Sequence, residues 1–215
     1  MTIYLLPGLG ADERLFQYLK LGDHEIIPIH WISPTPDDTI ENYAAKIALQ
    51  ISGHDNVLIG QSFGGIMAVE IGKIMPFKKI IIISSMISSD ELPRRYRIAG
   101  LLRLNKILTP GLLKRSHVLI NWVMGAVDPL RRKLLADMLR DSDEKFMSWS
   151  LQQILDWKNR TVPPNMVCIH GDNDKVLPLR RAEYVIKGGG HLIVANRADE
   201  VSAAIKEILT PIEGS

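Results

Sequence analysis

The amino-acid sequence predicts an α/β domain of three layers, α/β/α, with a mostly parallel six-stranded sheet and a helical segment inserted after the fourth strand. Short apolar runs rich in β-branched residues recur along the 215-residue chain, each followed by turn residues. Continuous apolar runs are typical of strands that are buried on both faces. Helical patterns lie between several of these runs, and this alternation favours a parallel sheet covered by helices on both sides.

Six segments are predicted to be strands, namely residues 3–6, 25–29, 57–59, 79–84, 166–169 and 183–186. Amphipathic or apolar helical patterns cover residues 39–51, about 64–75 and about 198–209, and we expect the second to be ended by Pro76 and the third to end near Pro211. Residues 86–162 break the alternation, since they contain no convincing strand and several helical patterns, including 131–140 and 146–157. The predicted division is therefore a core of residues 1–85 and 163–215 and a helical insertion of residues 86–162.

Composition excludes several classes of protein. The net charge of +2 gives no whole-molecule reason to expect nucleic-acid or membrane partners. The longest apolar run, residues 80–83, is far shorter than the roughly 20 residues that a membrane helix needs. The single cysteine, Cys168, lies in an apolar run and is expected to be a buried strand residue rather than a catalytic thiol. We expect a cytoplasmic protein without metal or cofactor, and the oligomeric state stays open.

The run Gly60-Gln61-Ser62-Phe63-Gly64 follows a predicted strand and precedes a predicted helix. In that context Gly-x-Ser-x-Gly indicates a nucleophile elbow, in which small residues let strand and helix approach and the serine projects above the sheet. A serine hydroxyl is a weak nucleophile unless a base and an orienting carboxylate activate it. Ser62 is therefore the candidate nucleophile.

The required carboxylate and histidine follow in the chain order that this architecture demands, Ser then Asp then His. Asp172 and Asp174 both come just after the fifth strand. We favour Asp174, which is better placed to reach across, while Asp172 is the alternative and could instead shape the turn. His191 follows three consecutive glycines after the sixth strand and is the candidate base. His170 is expected to end the fifth strand and support the acid loop.

Two main-chain N–H groups are candidates for an oxyanion hole. One is that of Phe63, at the start of the helix after the elbow, and the other is that of Leu9, in the loop after the first strand. Gly8 and Gly10 would let this loop approach a ligand closely. These two glycines do not indicate a dinucleotide-binding Gly-x-Gly-x-x-Gly motif, because Glu13 occupies the position of its third glycine.

Together, the elbow, the acid loop, the histidine loop and the oxyanion loop resemble the α/β-hydrolase superfamily, in particular small cofactor-free carboxylesterases and acyl thioesterases. The resemblance implies that the helical insertion is a cap over the pocket. It also implies that the chain begins at the family's third strand, so that the sheet is trimmed. The family often has His-Gly where this chain has Pro7-Gly8.

The resemblance implies hydrolysis of a carboxylic ester or thioester through a Ser-His-Asp triad and an acyl-enzyme. The alternatives are a carbon–carbon bond hydrolase or lyase that uses the same triad, and an inactive ligand-binding member of the fold. The expected partner is a small ester or acyl substrate. An anionic group or a carrier could accompany it because the cap is rich in basic residues, and the alternative is that these basic residues form solvated helix faces. The basic residues are Arg94, Arg95, Arg97, Arg103, Lys106, Lys114, Arg115, Arg131, Arg132, Lys133 and Arg140. An apolar inner face is expected from Leu101, Leu102, Leu104, Ile107, Leu108, Leu112 and Leu113.

Overall fold

The computed structural model describes residues 1–101, 124–125 and 128–213 and contains the predicted parallel sheet. The strands, each close to a predicted segment, are β1 Thr2–Leu6, β2 Glu25–Pro28, β3 Asn56–Gln61, β4 Lys79–Ile83, β5 Met166–Gly171 and β6 Tyr184–Ile186. Their order across the sheet is β2-β1-β3-β4-β5-β6. Every neighbouring pair is parallel. The carboxyl ends of all six strands therefore lie at one edge.

The described helices follow the predicted alternation. They are α1 Ile40–Ala48, α2 Phe63–Gly72, α3 Arg94–Leu101, α4 Pro129–Asp141, α5 Glu144–Asp156, α6 Ile193–Asn196 and α7 Ala198–Glu213, with short 3-10 turns at Glu13–Phe16 and Ser89–Glu91. α2 ends at Gly72, a few residues before Pro76, and α7 ends at Glu213, two residues beyond Pro211. A proline this close to a helix end removes only one hydrogen bond from the final turn, which limits its effect.

Alternate residues of the four inner strands, β1, β3, β4 and β5, face two separate hydrophobic clusters. Tyr4 and Leu58 pack on one side of the sheet with α1 and α2, where Tyr43 and Ile66 are buried. On the other side, a second set of strand residues packs against α6 and α7. That set includes Ile3, Val57, Ile81 and Ile169, which meet Ile193, Val201 and Ile205. Because both faces are covered, the strands can be apolar throughout, as their sequences predicted.

The described residues of the segment 86–162 are helical or irregular, with no strand among them. Leu139 of α4 and Phe146 and Met147 of α5 are buried in the two core clusters. The chain returns to the core at Trp157, whose indole N–H donates a 2.8 Å hydrogen bond to the buried carboxylate of Glu70 on α2. The division into core and cap stays a prediction.

Part of the predicted cap lies outside the described residues. This holds for the basic residues Arg103, Lys106, Lys114 and Arg115, and for the apolar residues Leu102, Leu104, Ile107, Leu108, Leu112 and Leu113. Among the described helices, none is both long enough and apolar enough to cross a membrane.

Candidate active site

Ser62 occupies the sharp turn between β3 and α2. Its backbone has φ 53° and ψ −118°, a left-handed geometry that costs energy in any residue except glycine. The turn is tight enough that a side chain at Gly60 would overlap the main chain of Gly64, and one at Gly64 would overlap the carbonyl of Leu6. The small residues therefore let strand and helix approach, and Ser62 lies at the carboxyl edge of the sheet.

The structure brings the three predicted triad residues into contact. His191 Nε2 lies 2.9 Å from Ser62 Oγ, and His191 Nδ1 lies 2.7 Å from Asp174 Oδ2. A carboxylate only accepts hydrogen bonds, so Nδ1 carries the proton and Nε2 is free to accept the serine hydroxyl proton. The three residues follow β3, β5 and β6, whose carboxyl ends share one edge of the sheet.

The two candidate carboxylates have different environments. Asp174 is 5% exposed, and its Oδ1 accepts the N–H groups of Val176 and Leu177 at 2.8 and 2.9 Å. Asp172 is exposed, and its Oδ1 accepts the N–H of Gly188 at 2.6 Å. Asp174 is thus the carboxylate that contacts His191, and Asp172 ties its own turn to the histidine loop.

The electrostatics of Asp174 favour the ionised form. Burial alone would raise the pKa of this carboxyl group. The charge interaction with His191 and the hydrogen bonds from His170, His191 and the Leu177 N–H outweigh burial and hold the pKa of Asp174 well below its ordinary value. A carboxylate that stays ionised can stabilise a protonated imidazole beside it.

The two predicted oxyanion donors lie in segments next to the serine. Phe63 is the first residue of α2, where main-chain N–H groups have no partner within the helix. The loop carrying Leu9 runs close by, since a Cβ at Gly8 would lie 3.2 Å from Ser62 Cβ. Within the described part of the chain, neither the Leu9 nor the Phe63 N–H has a protein acceptor. Both are free to donate to a ligand.

Two contacts around the triad were not predicted from the sequence. The hydroxyl of Ser85, just after β4, donates to the main-chain carbonyl of Ser62 at 2.6 Å. The side-chain amide of Gln61 donates to the main-chain carbonyl of His191 at 3.3 Å. Gln61 stands inside the elbow motif and could have been singled out there, whereas no sequence pattern marks Ser85.

A cavity of about 300 Å³ opens beside the oxyanion loop. The indole ring of Trp31 forms part of its wall, 5.6 Å from the ring of Phe63 and stacked at 4.9 Å on Phe146. Its other lining residues are Gly10, Ala11, Asp12, His30, Ile32, Ser33, Asp141, Ser142 and Asp143. The cavity therefore combines an aromatic wall with polar and acidic groups, and it lies near the residue that follows Ser62.

Several basic side chains of the helical insertion have partners within the protein. Arg95 donates to the carbonyl of Lys175 at 2.5 Å, and Arg97 donates to the carbonyls of Ser89 and Asp90. The ion pairs of α4 include Arg131 with Asp128, Lys133 with Asp137, and Arg140 with Asp137 and Asp141. These contacts use charge that would otherwise be available to an anionic partner.

Cys168 does not take part in the site. It is a buried free cysteine in β5, and burial raises the pKa of its thiol to about 12, so that the reactive thiolate is suppressed. Among the residues that the structure describes, no group of three or more His, Cys, Asp or Glu side chains is arranged to hold a metal ion.

Comparison with known proteins agrees with this architecture. A model of the alpha/beta hydrolase family matches residues 3–204. The fold is similar to that of a lipase-esterase related protein from Clostridium acetobutylicum, with 18% identity and a TM-score of 0.73 over 96% of this chain and 93% of that chain. The fold is also similar to that of a thermophilic esterase from Thermogutta terrifontis, with 14% identity and a TM-score of 0.68 over 99% of this chain and 90% of that chain. It is similar as well to that of an enol-lactonase from Burkholderia xenovorans, with 16% identity and a TM-score of 0.69 over 97% of this chain and 91% of that chain. No curated protein sequence matches.

Proposed function

The chain belongs to the alpha/beta hydrolase family, and from this premise we propose that it hydrolyses carboxylic esters or thioesters through an acyl-enzyme formed on Ser62. The observation that carries the proposal is the continuous hydrogen-bonded series from Ser62 Oγ through His191 to Asp174, with distances of 2.9 and 2.7 Å. Nucleophile and base within hydrogen-bond reach, with the base held by a third group, is the arrangement that acyl transfer requires.

In the first half of the reaction, Ser62 Oγ attacks the carbonyl carbon of the substrate while His191 Nε2 takes the hydroxyl proton. The carbonyl oxygen becomes an oxyanion, to which the N–H groups of Leu9 and Phe63 donate. When this intermediate collapses, the bond from carbon to the leaving oxygen or sulfur breaks. The leaving group takes the proton from Nε2, and the acyl group stays on Ser62.

The second half reverses these roles, with water as the nucleophile. His191 Nε2 takes a proton from the water while the water oxygen attacks the acyl carbon. The bond to Ser62 Oγ then breaks, Oγ recovers the proton from Nε2, and the carboxylic acid leaves. Throughout, the Asp174 carboxylate accepts the Nδ1–H bond, which keeps the imidazole in the working tautomer and stabilises it when it is protonated.

A cavity next to the oxyanion loop, which none of the triad residues lines, supports a small-molecule substrate. The cavity of about 300 Å³ beside the oxyanion loop has an aromatic wall formed by Trp31 and Phe146. Aromatic walls with a few polar groups are typical of small-molecule sites. The esterase and the enol-lactonase named above act, by their names, on ester bonds, which supports the choice of an ester over a carbon–carbon bond.

The test is hydrolysis of p-nitrophenyl esters from acetate to octanoate and of acyl thioesters of matching length. Ser62→Ala is the loss-of-function variant, and Ser148→Ala, at an exposed serine of α5, is the matched control. We expect turnover by the wild type and the control and a loss of several orders of magnitude in Ser62→Ala.

Labelling with a fluorophosphonate, followed by peptide mapping, provides a second readout that needs no substrate. We expect the label on Ser62. A wild type that neither turns over any ester or thioester nor accepts the label at Ser62 would contradict the proposal and favour a ligand-binding role. Labelling at Ser62 with cleavage of diketones but not of esters would favour carbon–carbon bond hydrolysis.

A further inference from the structure

A second histidine contacts the carboxylate that orients His191. His170, near the end of β5, has its Nε2 3.2 Å from Asp174 Oδ2 and 2.8 Å from the carbonyl oxygen of Leu177. The same Oδ2 lies 2.7 Å from His191 Nδ1. Both histidines are almost fully buried, at 2% and 1% exposure. One carboxylate oxygen thus lies between two imidazole rings.

The partners of His170 determine which ring nitrogen carries its proton. A carbonyl oxygen and a carboxylate oxygen are both acceptors, so Nε2 must be an N–H donor. At 2.8 Å the bond to Leu177 is the shorter one, and at 3.2 Å Asp174 Oδ2 is also within reach of the same donor. The single Nε2–H donates chiefly to the Leu177 carbonyl, and Asp174 Oδ2, at 3.2 Å from the same nitrogen, is the weaker second acceptor of that hydrogen.

This geometry fastens the acid loop to the sheet. His170 belongs to β5, which is paired with strands on both sides, so its ring stands on a rigid support. The loop that follows carries Asp174 and Leu177, and the ring contacts both. The other carboxylate oxygen of Asp174 is held by the N–H groups of Val176 and Leu177. Among the described residues, the contact with His170 is the one that connects this carboxylate directly to a strand side chain.

We propose that His170 is a positioning residue of the active site, which sets the position and the hydrogen-bonding strength of Asp174 Oδ2 toward His191. This inference rests on the proposed function only for its kinetic consequences. A donor on Oδ2 draws charge away from the bond to His191. Without it, the carboxylate would both move more freely and attract the protonated form of His191 more strongly.

Other charged groups also act on this region. Glu91, in the 3-10 turn after β4, interacts with His170 and with Arg180 and Arg181, and burial raises the pKa of Glu91 above its ordinary value. Asp174 and His191 face His170 from the acid loop and the histidine loop. Of the groups named here, apart from the triad, Glu91 is the one whose titration could be confused with an effect of His170. The variant Glu91→Gln removes that titration and keeps an acceptor for the Ile87 N–H, so it separates an effect of Glu91 from an effect of His170.

The experiment compares His170→Leu with His170→Gln, and His54→Leu, at an exposed turn histidine, is the matched control. The Gln side chain can place an N–H donor where Nε2 stands, whereas Leu cannot. Since a displaced catalytic group can lower a rate by up to about 100-fold, we expect His170→Leu to lower kcat about tenfold with KM nearly unchanged. We expect the acid limb of the kcat/KM pH profile of His170→Leu to move to higher pH, and the same shift when Glu91→Gln is also present. His170→Gln should restore most of the lost kcat and most of the shift in the pH profile.

A second readout does not depend on turnover. The Nδ1–H proton of His191, held in a short buried hydrogen bond, should give a downfield proton NMR signal in the wild type, in His170→Gln and in His54→Leu. We expect the signal to shift or broaden in His170→Leu. If that variant does not fold, His170→Asn replaces it, because its shorter amide does not reach Oδ2.

The outcomes separate this inference from the proposed function. The inference would be overturned, and the function would stand, if the wild type hydrolyses esters and His170→Leu matches it in kcat, pH profile and Nδ1–H signal. The same holds for His170→Asn where that variant is used instead. Loss of kcat that Gln does not restore would also overturn it and indicate a purely structural role. If the wild type hydrolyses nothing, the function fails, and the NMR comparison still decides whether His170 controls the bond between His191 and Asp174.

Discussion

The side-chain amide of Gln61 donates a hydrogen bond of 3.3 Å to the main-chain carbonyl of His191, although 130 positions separate them in the chain. Gln61 directly precedes Ser62, and its side-chain oxygen lies so close to Gly8 that a Cβ there would overlap it. One buried side chain at the end of the strand that precedes the nucleophile therefore contacts both the loop of the histidine and the loop of the oxyanion donor Leu9.

Removing this amide should misplace His191. In Gln61→Leu the buried carbonyl of His191 loses its donor, which costs about 1–3 kcal/mol. We expect a lower kcat with little change in KM, and a lower free energy of unfolding in urea. Gln17→Leu, at an exposed glutamine that donates to the carbonyl of Arg14, is the matched control. Equal kcat in the two variants would show that the contact does not position His191.

The two aspartates of the acid loop should respond very differently to the same substitution. Asp174→Asn removes the charge that holds His191 in the working tautomer, and we expect kcat to fall by about four orders of magnitude. Asp172→Asn keeps an oxygen for the Gly188 N–H and should change kcat little. Steady-state kinetics on the best ester decide the matter. A large loss in Asp172→Asn and a small one in Asp174→Asn would show that the acid is Asp172.

The stability of the protein should depend on the ionisation of Asp174. The fold lowers the pKa of Asp174 from its ordinary value of 3.8, so the ionised group stabilises the folded state above about that pH. This stabilisation is lost as the pH falls from there toward the lower folded-state pKa. Urea unfolding between pH 5 and pH 3 should therefore show a steeper loss of stability in the wild type than in Asp174→Asn. Asp172→Asn should follow the wild type, and parallel curves for all three proteins would contradict the lowered pKa.

The nucleophile elbow should not tolerate a methyl group at Gly60. A Cβ there would overlap the main chain of Gly64 and Gly65, which cannot move without separating β3 from α2. Gly22→Ala provides the comparison, because Gly22 has φ +71° but its nearest neighbours are 3.9 Å away. We expect Gly22→Ala to cost about 1–2 kcal/mol from backbone strain alone. Gly60→Ala should cost clearly more, or prevent folding. Similar unfolding midpoints would show that the elbow can relax.

Local sequence patterns were sufficient to predict the six parallel strands and their covering helices, since apolar periodicity reflects burial directly. They also predicted which loops would carry Ser62, Asp174 and His191, because parallel strands end at one edge of the sheet and the chain order is characteristic. The exact end of α7 lies two residues beyond Pro211, because a proline in the last turn of a helix costs less than one in its interior.

Tertiary structure alone decided the relations between distant segments. It showed that Asp174 and not Asp172 contacts His191, that His170 contacts the same carboxylate oxygen, and that Ser85 and Gln61 hold the main chain of the triad. It also placed partners beside several basic residues of the insertion. Each of these contacts depends on a separation of about 3 Å between particular atoms, whether the partners are four positions apart, as His170 and Asp174 are, or 130 positions apart, as Gln61 and His191 are. A sequence pattern specifies which groups are present near a strand end, but only the packed sheet and loops bring particular atoms within hydrogen-bond reach.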